Sequence, residues 1–432
     1  MGNRKKPSHE GRKQRKRELE NNEKSLGKRS SPQTNSAEQE KTIEVCKARS
    51  IPIKAPKDLI EAYHQIECKA LQAILKQIQY TEKRKAKLVI TNEFKKQLRK
   101  ELLKNWKFTK NYVDSAMDMA YSIVRSWISN YNRGVFKNKP KVRRKVVYIK
   151  MSLFSYKDGI LRISIKPYKR CIIIDLNKYP WIPKDFDKIG GLLLTENKLI
   201  LTLKKKVTIK KPKGWASFDI NLTNITAYIN GEIKRYDLKP LYHIHRVYEI
   251  KRQRIQRLAK KKPKTARKLL QKYSKRELNR TNDFIHKLTT KIVRELVQKG
   301  YGAILEDLKD IKRHILNKSK SMNRKLSKWD ARKIQKMLEY KLKWHGLPVK
   351  YVDPKNTSKT CPKCQNKLIE LKERKVKCPK CNFTIDRDVI AALNLQMRGA
   401  WIPPRALEEA IASMKEKEST IIVDSKSRPV DA

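Results

Sequence analysis

The spacing of apolar residues changes character along the chain. Near the start, apolar side chains recur every three or four positions, a period that predicts amphipathic helices. Such stretches cover 57–80, 93–106 and 111–131. Short runs rich in β-branched residues then occupy 136–210, and Asp158-Gly159 between two of them is a hairpin signal. The first half therefore predicts a small helical domain followed by a small antiparallel β-barrel or sheet.

From Trp215 onward, short apolar strands alternate with helical stretches, which is typical of an α/β domain. The predicted strands are 215–220, 224–230, 232–237, one that ends at Glu306, and 348–353. The predicted helices are 241–258, 265–299, 329–345 and 386–397. The basic stretch 204–214 is interpreted as a linker, and the tail after residue 403 is expected to be weakly ordered.

Three carboxylates occupy unusual positions in these elements. Asp219 lies in the apolar strand WASFDI, Glu306 ends the strand GAILE, and Asp388 opens the last helix. A carboxylate in a buried strand needs a partner or a metal ion, and converging carboxylates suit hard cations such as Mg²⁺. Two such cations would support phosphodiester cleavage. Taken singly, each residue is also compatible with a cap, a turn or an ion pair, and other acids compete for the same roles: Asp283, Asp307 and Asp386.

Four cysteines form two Cys-x-x-Cys pairs near the end of the chain: Cys361, Cys364, Cys378 and Cys381. Two such pairs can bring four thiolates to one point, and Zn²⁺ takes four thiolates tetrahedrally. The spacing therefore predicts a zinc site, with disulfides or redox dithiols as the alternative. The remaining cysteines are scattered and are interpreted as ordinary thiols: Cys46, Cys68 and Cys171.

Charge narrows the class of partner. The chain has 105 Lys and Arg residues against 43 Asp and Glu residues, an excess of 62 positive charges. Such a chain repels itself unless a polyanion neutralises it, so nucleic acid is the predicted partner. The sequence has no run of 18 apolar residues and no apolar signal-peptide core. It is therefore predicted to be cytoplasmic, and nucleoid-associated in a prokaryote, with no membrane partner.

Four segments resemble one protein family. FDINLTNITAY, AILEDL, DPKNTSKTCPKC and CPKCNFTIDRDVIAALNL are similar to motifs of the TnpB family, which comprises transposon-encoded, RNA-guided DNA endonucleases related to compact type V CRISPR effectors. The resemblance covers roughly residues 210–400. It implies a metal-dependent DNA endonuclease with a RuvC-like RNase H fold and an inserted zinc ribbon.

The resemblance also implies roles for single residues. The catalytic, Mg²⁺-binding acids of the family fall on Asp219, Glu306 and Asp388, with Mn²⁺ as an alternative to Mg²⁺. Zinc would be structural, and the partners would be a guide RNA and double-stranded and single-stranded target DNA. Two other functions stay open: a non-catalytic, RNA-guided DNA-binding regulator, and a transposase-like accessory protein in DNA transposition.

The implied organisation has seven parts. A basic disordered extension (1–50) precedes a helical recognition domain (51–135), a β-barrel wedge domain (136–210) and the first part of the nuclease domain (211–358). The zinc ribbon (359–384), the last part of the nuclease domain (385–403) and a C-terminal tail (404–432) follow.

Two positions depart from the family pattern. Many members have Asp-x-Gly at the first acid, where this chain has Asn221, and Asp-x-Asn-Ala-Ala at the third, where it has Ile390. Asn can adopt similar turn conformations, so metal binding is expected to survive the first change. The second change removes an amide that could support the site or contact substrate.

Overall fold

The structure, a computed structural model, describes residues 41–82, 84–135, 138–309 and 319–417. The helices are α1 Lys57–Lys76, α2 Asn92–Leu103, α3 Asn111–Asn132, α4 Lys239–Ala259, α5 Pro263–Lys299, α6 Lys320–Ser327, α7 Ala331–Trp344, α8 Arg387–Gly399 and α9 Pro404–Lys417. The first strands are β1 Thr42–Pro52, β2 Ile78–Tyr80, β3 Ala86–Leu88, β4 Val147–Ile149, β5 Phe154–Lys157, β6 Ile160–Lys166, β7 Arg170–Asp175, β8 Lys188–Thr195 and β9 Lys198–Thr208. The later strands are β10 Gly214–Ile220, β11 Asn224–Ile229, β12 Glu232–Asp237, β13 Tyr301–Glu306, β14 Val349–Val352, β15 Ile369–Glu370, β16 Lys375–Lys377 and β17 Thr384–Asp386.

The β-region contains two antiparallel sheets rather than one closed barrel. One sheet has the order β1-β9-β8-β4, and the other has the order β5-β6-β7. The prediction of a β-barrel is therefore corrected for the described residues. Asp158 and Gly159 both have positive φ angles at the turn between β5 and β6, so the predicted hairpin is confirmed.

Strand β1 corrects the predicted extent of the basic extension. It pairs with β9 along its whole length, from Thr42 opposite Thr208 to Pro52 opposite Lys198. The alternation of its sequence was obscured because Lys47 and Arg49 share the strand face of Val45 and Ile51, so few apolar residues mark it. Residues 1–40 of the predicted disordered extension lie outside the described residues.

The helical region and the two sheets share one hydrophobic core. Helices α1, α2 and α3 contribute buried side chains such as Leu59, Leu98 and Tyr112, and these lie in one cluster with Leu161 and Leu201 of the sheets. Strands β1 and β4 belong to the same sheet, and the three helices lie between them along the chain, so the helices are an insertion between two strands of one sheet.

The α/β region is built on a five-stranded sheet with the order β12-β11-β10-β13-β14. Strands β10, β11 and β12 are antiparallel neighbours, whereas β13 runs parallel to β10 and β14 runs parallel to β13. Side chains alternate between the faces of a sheet. One face, with Phe218 and Leu305, packs against α5 and α7, and the other face packs against α8.

The end of the described chain also differs from the prediction. Strands β15, β16 and β17 form a small sheet that carries the cysteine pairs, and its apolar residues pack with α8. The tail expected to be weakly ordered from 404 forms α9, with Leu407, Ala410 and Ile411 buried against this small sheet. The predicted linker 204–214 is likewise partly strand, because β9 continues to Thr208. None of the helices in the described ranges combines the length and hydropathy needed to cross a bilayer.

Candidate active site and metal centre

Parallel pairing of β10 with β13 places two of the predicted carboxylates side by side. Phe218 of β10 lies opposite Leu305 of β13, so the next residues, Asp219 and Glu306, are neighbours on the opposite face of the sheet. Both side chains are buried, with exposed fractions of 7% and 9%. The sheet therefore presents two carboxylates toward the face that α8 covers.

Helix α8 brings the third carboxylate to the same face. The Ser217 hydroxyl of β10 donates a hydrogen bond of 2.7 Å to the carbonyl of Ala392 and so ties the helix to the sheet. Asp386 caps the start of α8 by accepting a 2.7 Å hydrogen bond from the backbone N–H of Asp388. The Asp388 side chain is buried and accepts a 3.3 Å hydrogen bond from Asn224 of β11.

Burial and neighbouring carboxylates both raise the pKa values of the two strand carboxyls. Burial, followed by repulsion from Asp388, raises the pKa of Asp219 to about 7. Burial, followed by repulsion from Asp219, raises the pKa of Glu306 to about 8. A buried carboxylate that faces another negative charge favours its neutral form unless a cation compensates it. The site thus holds more potential negative charge than its protein groups neutralise.

One arginine contacts this site from the cysteine-rich sheet. The Arg374 guanidinium lies 2.5 Å from Asp388 Oδ1 and 3.5 Å from Asn221 Oδ1. Arg374 and its neighbour Glu373 both have left-handed backbones, with φ angles of 63° and 59°. This conformation is costly for residues other than glycine, so the loop holds the guanidinium in place at the expense of backbone strain. A cation from one element therefore partly neutralises a carboxylate of another.

Neighbouring polar groups fix the backbone and side chains around the acids. Asn221 donates a 2.6 Å hydrogen bond to Asp219 Oδ2, and its own carbonyl accepts a 3.2 Å bond from the Trp329 indole. Gln335 of α7 donates a 2.8 Å bond to the carbonyl of Glu306. The departure at Asn221 thus supplies a direct contact to the first acid, and Ile390 is fully buried in the apolar core around α8.

The competing acids of the sequence analysis have other partners. Asp283 lies on the exposed side of α5 and pairs with Lys287 at 2.8 Å. Asp307 pairs with Lys309 at 3.5 Å. Asp386 caps α8 and is 3.0 Å from Arg235.

The four predicted cysteines converge. Among the residues that the structure describes, they form the one group of three or more His, Cys, Asp or Glu side chains with all ligand atoms within 4.8 Å. The Sγ atoms of Cys361 and Cys381 are 4.0 Å apart, and those of Cys364 and Cys378 are 3.5 Å apart. Sulfurs bound tetrahedrally at 2.3 Å would be about 3.8 Å apart. The cluster could therefore hold a metal ion with little rearrangement.

Sequence reasoning missed two supporting residues. Arg374 lies between the cysteine pairs in a stretch of mixed charge, where no pattern distinguishes it from Lys372 or Lys377. Gln335 did leave a signal, because it occupies the buried face of α7 beside Ile334 and Leu338. A polar residue at a core position usually has a hydrogen-bond partner to satisfy.

Three family models match parts of the chain. "Uncharacterized protein MJ0013 family" matches residues 59–164, "Probable transposase" matches 200–312, and "Cas12f1-like, TNB domain" matches 332–395. The two later matches together cover the five-stranded sheet, the cysteine cluster and α8 as far as residue 395.

The chain is also similar to individual proteins. The TnpB-like protein MJ1635 of Methanocaldococcus jannaschii is 33% identical over 82% of this chain and 83% of its own length. A CRISPR-associated endodeoxyribonuclease Cas12f1 from an uncultured archaeon is 41% identical over 16% of this chain and 14% of its own length. The solved Cas12f1-sgRNA-target DNA complex matches in fold with a TM-score of 0.52, at 16% identity over 81% of each chain. Because the likeness to MJ1635 spans most of both chains, this chain belongs to the TnpB family.

Proposed function

We propose that this chain is an RNA-guided, Mg²⁺-dependent DNA endonuclease encoded by a mobile element, which cleaves phosphodiester bonds by a two-metal, RuvC-type reaction. The observation that carries the proposal is that Asp219, Glu306 and Asp388 lie buried on one face of the sheet, where burial and repulsion from a neighbouring carboxylate raise the pKa values of Asp219 and Glu306.

The sheet topology supports the nuclease assignment. An RNase H core of the RuvC type takes its acids from the first strand, the fourth strand and the last helix. Here Asp219 lies on β10, the first strand of the five-stranded sheet, and Glu306 ends β13, the fourth along the chain. Asp388 opens α8, the helix that packs on the same face. The three acids therefore occupy the elements from which a RuvC-type core takes its acids, in the same order along the chain.

The donor set fits hard divalent cations. All three side chains offer carboxylate oxygens, which Mg²⁺ and Mn²⁺ prefer, and the raised pKa values of Asp219 and Glu306 reflect charge that a cation would stabilise. Bound Mg²⁺ would activate the attacking water and stabilise the leaving oxygen of the phosphodiester.

The protein's own contribution is to hold these oxygens in place. Asn221 orients Asp219, Gln335 fixes the backbone at Glu306, and the Asp386 cap fixes the start of α8. Arg374 supplies the charge opposite Asp388 and would have to move or share that oxygen when cations bind. The basic surface of the chain would hold the polyanionic substrate, since 62 excess positive charges favour phosphate contacts.

We further propose roles for the other regions and for zinc. Helices α1 to α3 would form a recognition lobe, and the two antiparallel sheets would form the wedge that grips guide RNA and duplex DNA. The likeness to a protein solved as a complex with sgRNA and target DNA supports this assignment. Zinc at the four cysteines would be structural, because all four positions of a tetrahedron would be filled by protein sulfur.

The test is a cleavage assay on protein purified with its co-purifying RNA, which is sequenced to design the target DNA. Asp219→Ala should abolish cleavage and leave RNA and DNA binding intact, whereas Asp283→Ala, which removes an exposed carboxylate of α5, should cut like the wild type. Chelating and restoring Mg²⁺ should stop and restart cleavage.

Three outcomes would contradict the proposal. DNA cleavage by the Asp219→Ala variant would contradict the assignment of Asp219 as a catalytic residue. RNA-directed DNA binding without cutting by the wild type would indicate a regulator. Strand-transfer products formed without RNA would indicate a transposase.

A further inference from the structure

The turn between β6 and β7 has an unusual residue at its third position. The backbone N–H of Lys169 donates a 3.3 Å hydrogen bond to the carbonyl of Lys166, so residues 166–169 form a β-turn with Pro167 and Tyr168 at its centre. Tyr168 has a φ angle of 58°. A turn with Pro at the second position and positive φ at the third normally has Gly or Asn there, because other side chains strain the backbone. The tyrosine therefore strains the backbone of this turn.

The strained residue directs its ring entirely into solvent. Tyr168 has a relative exposure of 108%, the highest among the large hydrophobic side chains that the structure describes. It buries no apolar area within the chain, so packing offers no compensation for the strained backbone. Strained backbone positions cluster at active sites and at segments that hold a ligand.

The two residues that flank the exposed part of the turn are held by other parts of the chain. Arg170 pairs with Asp58 at the start of α1 at 2.8 Å, and the Lys166 ammonium lies 5.5 Å from the centre of the Phe108 ring. These contacts tie both strands of the hairpin to the helical region. The ring of Tyr168 is thus presented from a supported hairpin, which reduces the entropy lost when a ligand binds.

The surface beside the ring is basic. An open pocket of about 500 Å³ extends from Tyr168 between the hairpin and the segment before β5, lined by Arg162, Lys166, Ser152, Ser155 and Ser164. Lys169 and Arg170 also line it, and none of its described lining residues is acidic. Within the described ranges, Arg162, Lys166 and Lys169 form no ion pair. An exposed aromatic face beside unpaired cations and hydroxyl groups matches a base and its phosphates.

We infer that Tyr168 is a stacking platform for an unpaired nucleobase, and that the adjoining pocket binds the phosphates that flank this base. The inference rests on the proposed function for its biological setting, since it adds a nucleotide contact to a nucleic-acid-guided enzyme. It does not depend on cleavage. The unpaired base belongs either to RNA or to single-stranded DNA, which share this chemistry.

The test uses the full chain carrying Asp219→Ala and short single strands of RNA or DNA of one sequence, each with a central 2-aminopurine whose fluorescence falls on stacking. Tyr168→Asn removes the ring and places a residue that tolerates positive φ in the turn. It should weaken binding by about 5- to 100-fold, abolish part of the fluorescence decrease, and keep or raise the midpoint of thermal unfolding. Tyr168→Phe, which retains the ring, should bind like the parent protein.

Tyr156→Ala is the matched control. Tyr156 is an exposed tyrosine of the neighbouring strand β5 whose ring lies 5.6 Å from that of Phe186, and its removal should leave oligonucleotide binding unchanged. A loss confined to RNA would assign the base to RNA, and a loss confined to DNA would assign it to a DNA strand.

The inference is overturned if Tyr168→Asn binds both oligonucleotides within twofold of the parent, if Tyr168→Phe is as weak as Tyr168→Asn, or if fully paired duplexes lose affinity equally. Because only binding is measured, failure here leaves the nuclease proposal standing, and absence of cleavage in the earlier assay leaves this inference standing.

Discussion

Replacing Arg374 by alanine tests whether a protein cation and Mg²⁺ compete for Asp388. The Asp388 side chain is 5% exposed, and the Arg374 side chain is 47% exposed. Breaking a fully buried pair costs about 3–5 kcal/mol, but a half-exposed partner is screened by water. The metal-free variant should therefore lose about 1–2 kcal/mol of unfolding free energy relative to the wild type.

The same pair sets the expected change in metal affinity. If the guanidinium must leave Asp388 before a cation binds, the wild type loses the pair energy on binding and the variant does not. Arg374→Ala should then bind Mg²⁺ about 5- to 30-fold more tightly, because 1–2 kcal/mol corresponds to that ratio. In saturating Mg²⁺ the stability difference between the two proteins should shrink toward zero.

The assay is thermal unfolding as a function of Mg²⁺ concentration, with the rise in midpoint used to obtain the affinity. Lys372→Ala is the matched control, since it removes a positive charge from the same loop but from a residue that forms no ion pair within the described part of the chain, whereas Arg374 pairs with Asp388. The competition model is refuted if Arg374→Ala binds Mg²⁺ no more tightly than the wild type. It is also refuted if the variant is destabilised equally with and without Mg²⁺.

Two further predictions concern metal removal and pH. A zinc-selective chelator, or Cys378→Ser, should lower thermal stability and speed amide exchange at Val376 and Ile385, whereas removing Mg²⁺ alone should leave that exchange unchanged. Equal exchange rates after chelation of zinc, after Cys378→Ser and after removal of Mg²⁺ would contradict a structural zinc site. Glu67 of α1 is 3% exposed, its Oε2 has no hydrogen-bond partner, and burial raises its pKa to about 7. A carboxyl group whose pKa is raised in the folded state contributes stability at acid pH that is lost as the pH rises toward 7. The unfolding free energy of Glu67→Gln, measured in urea, should therefore rise by up to about 3 kcal/mol relative to that of the wild type between pH 4.5 and pH 8. A difference that stays constant with pH would contradict this.

The α/β region was largely predictable because its strands are buried and apolar. Strands β10, β11 and β13 lie where their apolar runs predict, and the long helix α5 follows its periodicity. The β-region was less predictable. Its first strand carries lysine and arginine at positions where apolar residues would mark a buried face. The sheet to which this strand belongs, β1-β9-β8-β4, forms through partners far apart in sequence.

The candidate site likewise has one part that the sequence predicts and another part that depends on the fold. Cys-x-x-Cys spacing is a local property, because two residues between ligands already direct both sulfurs to one point, so the cluster followed from sequence. The three acids could be proposed from their strand ends and the family resemblance. Their selection over Asp283 and Asp307 required the register of β10 against β13, which brings together residues 87 positions apart.

The sequence by itself determined the basic character, the α/β core and the cysteine cluster. Composition, periodicity and short spacings can each be recognised from residues that are close together in the chain. Only the tertiary structure decided that Arg374 forms an ion pair with Asp388 and that Asn221 donates a hydrogen bond to Asp219. It also decided that the Tyr168 ring is fully exposed to solvent on a strained turn. These features depend on where distant segments or solvent come to lie. Long-range contacts and backbone angles leave no periodic trace in a sequence, so they appear only once the chain is folded.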